Sequence, residues 1–239
     1  MNTKKTKVML IEDSQNLRSV LKDYLEMTGY EVKDYGDGES ALKNYKEGYC
    51  DICLLDIGLP RKDGYAVLRE LQNRSPYLPV IFVTTRDTKE DRIKGFKAGC
   101  DDYVTKPFST EELLLRMEAV LRRSRMSKPS NTNRKEIIFN IGDFLFDYGE
   151  LKLTKNGEVR VLTRREAQLL KLLYEHQNKL VPREVFLKEI WGDSKASDGR
   201  SLDVYLSKLR IYLKTEDSKV EVINIHGIGY MMKIQVGVI

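Results

Sequence analysis

The chain has 239 residues, 41% of them hydrophobic and 32% charged, which fits two ordinary globular domains and excludes an intrinsically disordered chain. The net charge of +5 is too small to assign a nucleic-acid partner by itself. No run approaches the ~18 apolar residues of a membrane span, the apolar stretch Val8–Ile11 is too short for a signal peptide, and three cysteines point to a reducing cytoplasm rather than a disulfide scaffold.

Residues 1–123 carry 21 basic and 21 acidic side chains. Within them, short β-branched stretches at Val8–Ile11, Glu31–Tyr35, Asp51–Ile57, Pro79–Thr85 and Asp102–Thr105 read as buried parallel strands. Between and after them lie amphipathic stretches at Leu17–Met27, Gly38–Lys46, Ala66–Leu71, Thr88–Lys97 and Glu111–Leu121. That alternation predicts a five-stranded, doubly wound α/β domain. Residues 124–136, SRMSKPSNTNRKE, are polar and basic with one proline, which is linker composition. Residues 137–239 carry 16 basic and 14 acidic side chains and follow a different pattern. Ile137–Phe146 and Leu151–Leu162 alternate like antiparallel strands, with turns expected at Tyr148–Gly149 and Asn156–Gly157. Thr163-Arg164-Arg165-Glu166 is a capping box opening a helix. A second helix follows Pro182, a third runs from about Arg200 to Leu213, and Val220–Ile225 with Tyr230–Val236 form a closing hairpin. The second domain is therefore expected to be α+β.

In an open α/β sheet, ligands bind at the carboxyl ends of the strands. Glu12 and Asp13 end the first strand, Asp56 the third and Thr84 the fourth, and Lys106 follows the fifth. Clustered carboxylates repel and invite a hard divalent cation, and Mg²⁺ suits a site of few carboxylates that keeps several waters. Asp56 beside such a cation could act as an in-line nucleophile towards a phosphoryl group, with Lys106 and Thr84 contacting its oxygens. Each residue alone has a plainer role, as a helix cap, a turn residue or a solvated lysine.

Ile11-Glu12-Asp13, Leu54-Leu55-Asp56-Ile57, Leu59-Pro60 with Asp63-Gly64, Val83-Thr84, and Asp101 through Phe108 (DDYVTKPF) together resemble two-component receiver domains over residues 6–123. The resemblance implies phosphoryl transfer from a sensor histidine kinase to Asp56 with Mg²⁺ present. It also implies metal organisation by Glu12, Asp13 and the Gly58 carbonyl, phosphoryl contact by Lys106, and a switch pair of Thr84 and Tyr103. Many relatives carry a larger residue where Gly58 stands, so this glycine is expected to admit water and shorten the phospho-aspartate lifetime. Arg92 and Lys97, then Glu112, Arg116, Glu118 and Arg123, with Asp101 and Asp102 between, resemble the two-fold dimer face of the winged-helix branch. Arg92–Glu112 and Asp102–Arg116 are its expected pairs between protomers, and Lys97 with Glu118 looks charge-swapped.

Leu162 through Glu166, Ile190-Trp191-Gly192, Arg200 through Arg210 and Gly227-Ile228-Gly229-Tyr230 resemble the winged helix of the OmpR/PhoB family over about residues 138–235. The resemblance implies a phosphorylation-activated transcription regulator, not an enzyme, that forms a homodimer on promoter DNA. Lys208 and Asp203 fall on its base-facing positions, and Arg200, Ser201, Tyr205 and Arg210 on backbone contacts. Trp191 is expected in the core first and at a phosphate second. The loop 192–199 matches a segment that some relatives offer to RNA polymerase. His226 and Met231 replace common wing arginines, so minor-groove contact is expected to be weaker or pH-dependent.

Three rival chemistries fare worse. A haloacid-dehalogenase-type enzyme needs a second aspartate at the position of Gly58. A dinucleotide fingerprint lacks its third glycine after Gly227 and Gly229. Cys50-Asp51-Ile52-Cys53 has redox spacing but falls in a strand. The remaining alternative is a DNA-binding protein that acts without phosphorylation.

Overall fold

The computed structural model describes residues 5–127, 137–191, 198–214 and 219–235. The chain divides into two compact units, Met1–Arg125 and Met126–Ile239.

In the first unit, β1 (Lys7–Ile11), β2 (Glu31–Tyr35), β3 (Ile52–Leu55), β4 (Val80–Thr84) and β5 (Asp102–Thr105) form one parallel sheet in the order β2-β1-β3-β4-β5. Helices α1 (Gln15–Met27), α2 (Gly38–Asn44), α3 (Gly64–Arg74), α4 (Lys89–Ala98) and α5 (Thr110–Ser127) connect and follow the strands. β3 and β4 are buried at every residue, as covered faces on both sides require. The first four helices start on side-chain caps from Ser14, Asp37, Asp63 and Thr88, each accepting a backbone N–H of the first turn. On one side of the sheet, Leu21 and Leu25 of α1 and Leu113, Met117 and Val120 of α5 pack on Val8, Leu10, Leu54 and Ile81.

The helix α5 continues past Leu121 into the stretch expected to be linker. Nothing in RRSRMS breaks a helix, since the first proline is Pro129, and Ser124 is buried. A cationic helix end and a linker share one composition, so composition did not separate them. Residues 128–136 lie outside the described residues.

Asp34, at the end of β2, accepts from Arg18 Nε at 3.2 Å and from Lys22 Nζ at 2.9 Å. Burial works against its charged form, but the Lys22 hydrogen bond and charge, aided by Arg18, hold the carboxyl below its usual range. Asp34→Asn is expected to cost about 1 kcal/mol at neutral pH. A depressed folded-state value means that this stabilisation is present above the unfolded pKa and is lost as pH falls through the folded one. Urea midpoints of the two proteins should therefore converge in acid, and a gap that persists there would contradict the assignment.

In the second unit, β6 (Ile138–Ile141), β7 (Phe144–Asp147), β8 (Lys152–Lys155) and β9 (Glu158–Val161) form an antiparallel sheet in sequence order. The stretch expected as a single strand, Ile137–Phe146, turns at Gly142 and Asp143, where apolar residues on both sides masked the break. Asn156 and Gly157 adopt φ of 51° and 84°, the paired positive values of a tight hairpin turn. The capping box is present and opens α6 (Arg164–Glu175). A short strand that the sequence pattern did not suggest, β10 (Leu180–Pro182), leads into α7 (Arg183–Phe186) and a π-helical turn at Leu187–Trp191. Helix α8 (Asp198–Leu213) and the hairpin β11 (Val220–Ile225) and β12 (Gly229–Ile234) follow, with strand order β10-β12-β11.

Candidate functional site

The five parallel strands bring the expected acidic residues to one rim. Ligand oxygens of Glu12, Asp13 and Asp56 all lie within 4.8 Å of one another, two of the residues buried and Asp13 exposed. The Asp56 backbone N–H donates to the Ile11 carbonyl at 2.9 Å, which sets β3's end beside β1's. Arg18 Nη1 donates to the carbonyls of Glu12 at 2.7 Å and Asp13 at 3.3 Å, and so fixes the acidic turn. Sequence reasoning missed Arg18, which carries no motif and reveals its role only through the fold.

Lys106 Nζ reaches Asp56 Oδ2 at 2.6 Å and Glu12 Oε2 at 2.6 Å. Burial alone would lower its ammonium pKa, but hydrogen bonds to Asp56 and then Glu12 outweigh it and leave the group above the usual lysine range. Burial pushes the Glu12 carboxyl up, against the pull of Lys106. Gly58 donates its N–H to Asp56 Oδ1 at 3.0 Å. Hard oxygen donors converging beside one exposed carboxylate are the donor set a divalent cation such as Mg²⁺ takes.

Thr84 is buried at the end of β4, and its Oγ1 accepts the Arg86 N–H at 3.3 Å. Tyr103 is turned inward, its ring against Phe82 and Phe96 and its hydroxyl donating to the Arg86 carbonyl at 2.9 Å. Gly95 makes room for that ring. A Cβ there would lie 2.7 Å from Tyr103 Cδ2, well inside contact distance.

On the α4–β5–α5 face, Arg92, Lys97, Glu112 and Glu118 are exposed and Arg123 is half-buried. Some residues expected on this face are engaged within the chain. Asp102 and Arg116 pair within one chain, at 3.2 Å, because α5 lays Arg116 over the start of β5, and Arg116 also holds Glu112 at 2.8 Å. Asp101 is buried and accepts the Val80 N–H at 2.9 Å, so it stabilises β4 rather than facing outward.

Helix α8 also departs from expectation. Ser201 and Tyr205 are fully buried, so neither side chain offers a surface for a backbone contact. Trp191 is core, as expected first, with the buried Arg165 guanidinium over its ring at 5.3 Å and Tyr205 beside it. Asp203 is gripped by Arg183 through Nη1 at 2.6 Å and Nη2 at 3.2 Å, and accepts from the Tyr230 hydroxyl. Burial alone would raise the Asp203 carboxyl, but Arg183 and then Tyr230 hold it below the usual range. Lys208 Nζ bonds Glu166 Oε1 at 2.9 Å, and Arg210 Nε donates to the Val222 carbonyl at 2.8 Å. These three charged side chains therefore tie α8 to α6, α7 and the terminal hairpin. The side chain of Arg200 and residues 192–197 lie outside the described residues. His226 is exposed at the hairpin tip beside Gly227.

The family model "Response regulator receiver domain" matches residues 8–118, and "Transcriptional regulatory protein, C terminal" matches residues 157–232. The transcriptional regulatory protein RprY of Bacteroides fragilis is 42% identical over 228 residues, covering 95% of this chain and 94% of its own. The chain belongs to the OmpR/PhoB-type response regulators. This response regulator is also 33% identical to the sensory transduction protein RegX3 of Mycolicibacterium smegmatis, covering 95% of this chain and 99% of its relative. Among solved structures it is similar to DrrB, an OmpR/PhoB homolog of Thermotoga maritima, at 29% identity and a TM-score of 0.50, covering 96% and 100% of the two chains. A RitR variant, at 24% identity and a TM-score of 0.76 over 97% and 100%, shares the fold. No helix among the described residues is long and apolar enough to cross a membrane. The response regulator thus joins a receiver domain to a DNA-binding domain of transcription regulators.

Proposed function

We propose that this response regulator accepts a phosphoryl group on Asp56 from a sensor histidine kinase, forms a homodimer and then binds promoter DNA. The observation that carries the reading is Asp56, buried beside Glu12 and Asp13, with the Lys106 ammonium 2.6 Å from its carboxylate. The Asp56 carboxylate attacks phosphorus, a P–O bond forms, and the P–N bond to the kinase's histidine breaks. Lys106 turns from Asp56 to the phosphoryl oxygens, and Thr84 gives up the Arg86 N–H to reach them. Glu12, Asp13, Asp56 and the Gly58 carbonyl are the groups that would hold Mg²⁺, which when bound supplies positive charge to the phosphoryl oxygens. Arg92, Lys97, Glu112 and Glu118 supply the exposed charges of the dimer face, and dimerisation raises DNA affinity through effective concentration. RNA polymerase is the expected partner on the promoter. Beryllofluoride with Mg²⁺ should convert the full-length chain from monomer to dimer in light scattering, and should fail to do so in Asp56→Ala.

The alternative, a regulator that needs no phosphorylation, has one observation in its favour, because Tyr103 already lies inward. A dimer that forms equally well without beryllofluoride would support it.

Gly58 has open space around it, and a Cβ there would meet only Asp56 Oδ1, at 3.8 Å. Gly58→Met should fit and shield the phospho-aspartate from water, slowing hydrolysis by several-fold, on the order of 1 kcal/mol in the barrier. Loss of ³²P label over time measures it, and an unchanged rate would count against water access at this position.

A further inference from the structure

Strand β9 is the edge of the four-stranded sheet, and no described segment pairs with its outer side. Just beyond it, the Leu162 N–H donates to the Leu151 carbonyl at 2.7 Å. Bonded pairs alternate along an antiparallel ladder. Glu158 and Arg160 therefore turn their backbone groups toward β8, and Val159 and Val161 turn theirs away from it. Protein edges are blunted by charges, prolines, bulges or covering segments. At β11, the edge of the smaller sheet, Arg210 reaches in from α8 to the Val222 carbonyl. The outward-bonding residues of β9 are two valines, 58% and 60% exposed, with an unbroken register behind them.

Beside this edge lies a groove of about 720 Å³ between β9 and the end of α8, lined on the helix side by Ile211, Tyr212 and Lys214. Its two faces differ. Arg160 lies in register with the buried Leu153 and Phe146, so it faces α8, and its guanidinium sits over the Tyr212 ring at 4.3 Å. Val159 lies in register with Thr154 and Leu145 on the outer face, where Leu145 is also exposed. Lys155 is shared with Asp143 at 3.8 Å, so the charge facing the groove is that of Arg160 and the exposed Lys214 against Glu158.

We propose that β9 and this groove dock an extended, acidic and apolar segment of a partner protein, which adds to the sheet as a further strand. Main-chain hydrogen bonds to Val159 and Val161 hold the segment, and its alternating side chains set the specificity. Acidic side chains on one face meet Arg160 and Lys214, while apolar ones on the other continue the outer surface of Leu145, Val159 and Val161. A second copy of this chain would bring the same cations to the same groove and is disfavoured by like charge. A nucleic-acid backbone would match the cations and leave the free strand edge and its valines unused.

The test uses the full-length chain and a fluorescent, capped peptide of alternating valine and glutamate. Anisotropy should show saturable binding. The same peptide N-methylated along its bonding edge keeps every side chain and loses its N–H donors, and should bind about tenfold more weakly. Val159→Pro should lose a similar factor with a melting point near the parent's, because the N–H it removes is one the sheet does not use. Lys214→Glu, an exposed change, should lose about threefold and gain affinity for a valine–lysine peptide. If Val159→Pro melts early, Lys214→Glu and the methylated peptide decide the matter. Equal binding of the methylated and parent peptides means charge attraction alone and overturns the strand reading, as does the absence of saturable binding. In that case, weaker self-association of Val159→Pro in light scattering would assign the edge to a second copy, and weaker duplex binding by Lys214→Glu would assign the groove to DNA phosphates, each in place of the proposed partner.

Discussion

Asp56→Ala is expected to take no phosphoryl group from acetyl phosphate, while Lys106→Ala takes it up about 10²–10³-fold more slowly, the scale of losing one charged contact to a transferring group. The two variants separate nucleophile from electrostatic support because they do opposite things to the charge balance. In Asp56→Ala, Lys106 keeps Glu12 at 2.6 Å, so the pocket retains a satisfied ion pair and the domain stays folded. In Lys106→Ala, Glu12 and Asp56 remain buried, close together and without their cation. Breaking such a buried arrangement costs about 3 kcal/mol. Millimolar Mg²⁺ should return much of that stability, because it replaces the missing positive charge at the same oxygens. Melting curves in EDTA and in Mg²⁺ would show it. Phosphorylation of Asp56→Ala at the parent's rate, or a Lys106→Ala melting point indifferent to Mg²⁺, would remove the basis for the proposed pocket.

The receiver pocket was legible in the sequence for a physical reason. In a parallel sheet, strand ends converge on one rim, so knowing that Asp13, Asp56, Thr84 and Lys106 end or follow strands is nearly enough to bring them together. The strand signals were strong because β3 is apolar throughout and β4 is apolar up to Thr84. Arg18 was not legible, since it works through the backbone carbonyls of Glu12 and Asp13 and no side-chain pattern records that. On α8 the legibility ran the other way. Helical periodicity marks Leu202, Leu206 and Leu209 as one face, and all three are buried. It could not tell a lysine that faces a groove from one that leans back onto Glu166, forty-two residues earlier. Tyr205 and Ser201 read as polar and were placed outside, yet they border the buried face, which is wider than the leucines alone suggested. Asp102 and Arg116 were assigned to two protomers because their pairing was read from a resemblance. Position in the chain says nothing about whether a pair closes within a molecule or between two.

Glu166→Ala should lower the stability of the second unit by about 3 kcal/mol, more than a lost cap alone. One carboxylate serves two structures. Its Oε2 accepts the Thr163 N–H at 2.8 Å and completes the capping box of α6, while its Oε1 accepts from Lys208 at 2.9 Å and from the Tyr212 hydroxyl at 3.4 Å on α8. Truncation therefore uncaps α6 and unpairs the clamp between α6 and α8 together. Glu166→Gln keeps an acceptor and the side-chain volume but removes the charge, so it should recover the cap and lose only the ion-pair part. Thr163→Ala should do the reverse, losing Oγ1 as acceptor for the Glu166 N–H while sparing Lys208. A double-mutant cycle of Glu166→Gln with Lys208→Gln isolates the pair, and their coupling should be of the order of 1 kcal/mol or more. The fluorescence of Trp191, the chain's single tryptophan, sits in the same unit and reports its unfolding. Strict additivity in that cycle would mean that Lys208 is held by something other than Glu166, and α8 would then depend more on the Arg183, Asp203 and Tyr230 cluster and on Arg210 at the Val222 carbonyl for its orientation.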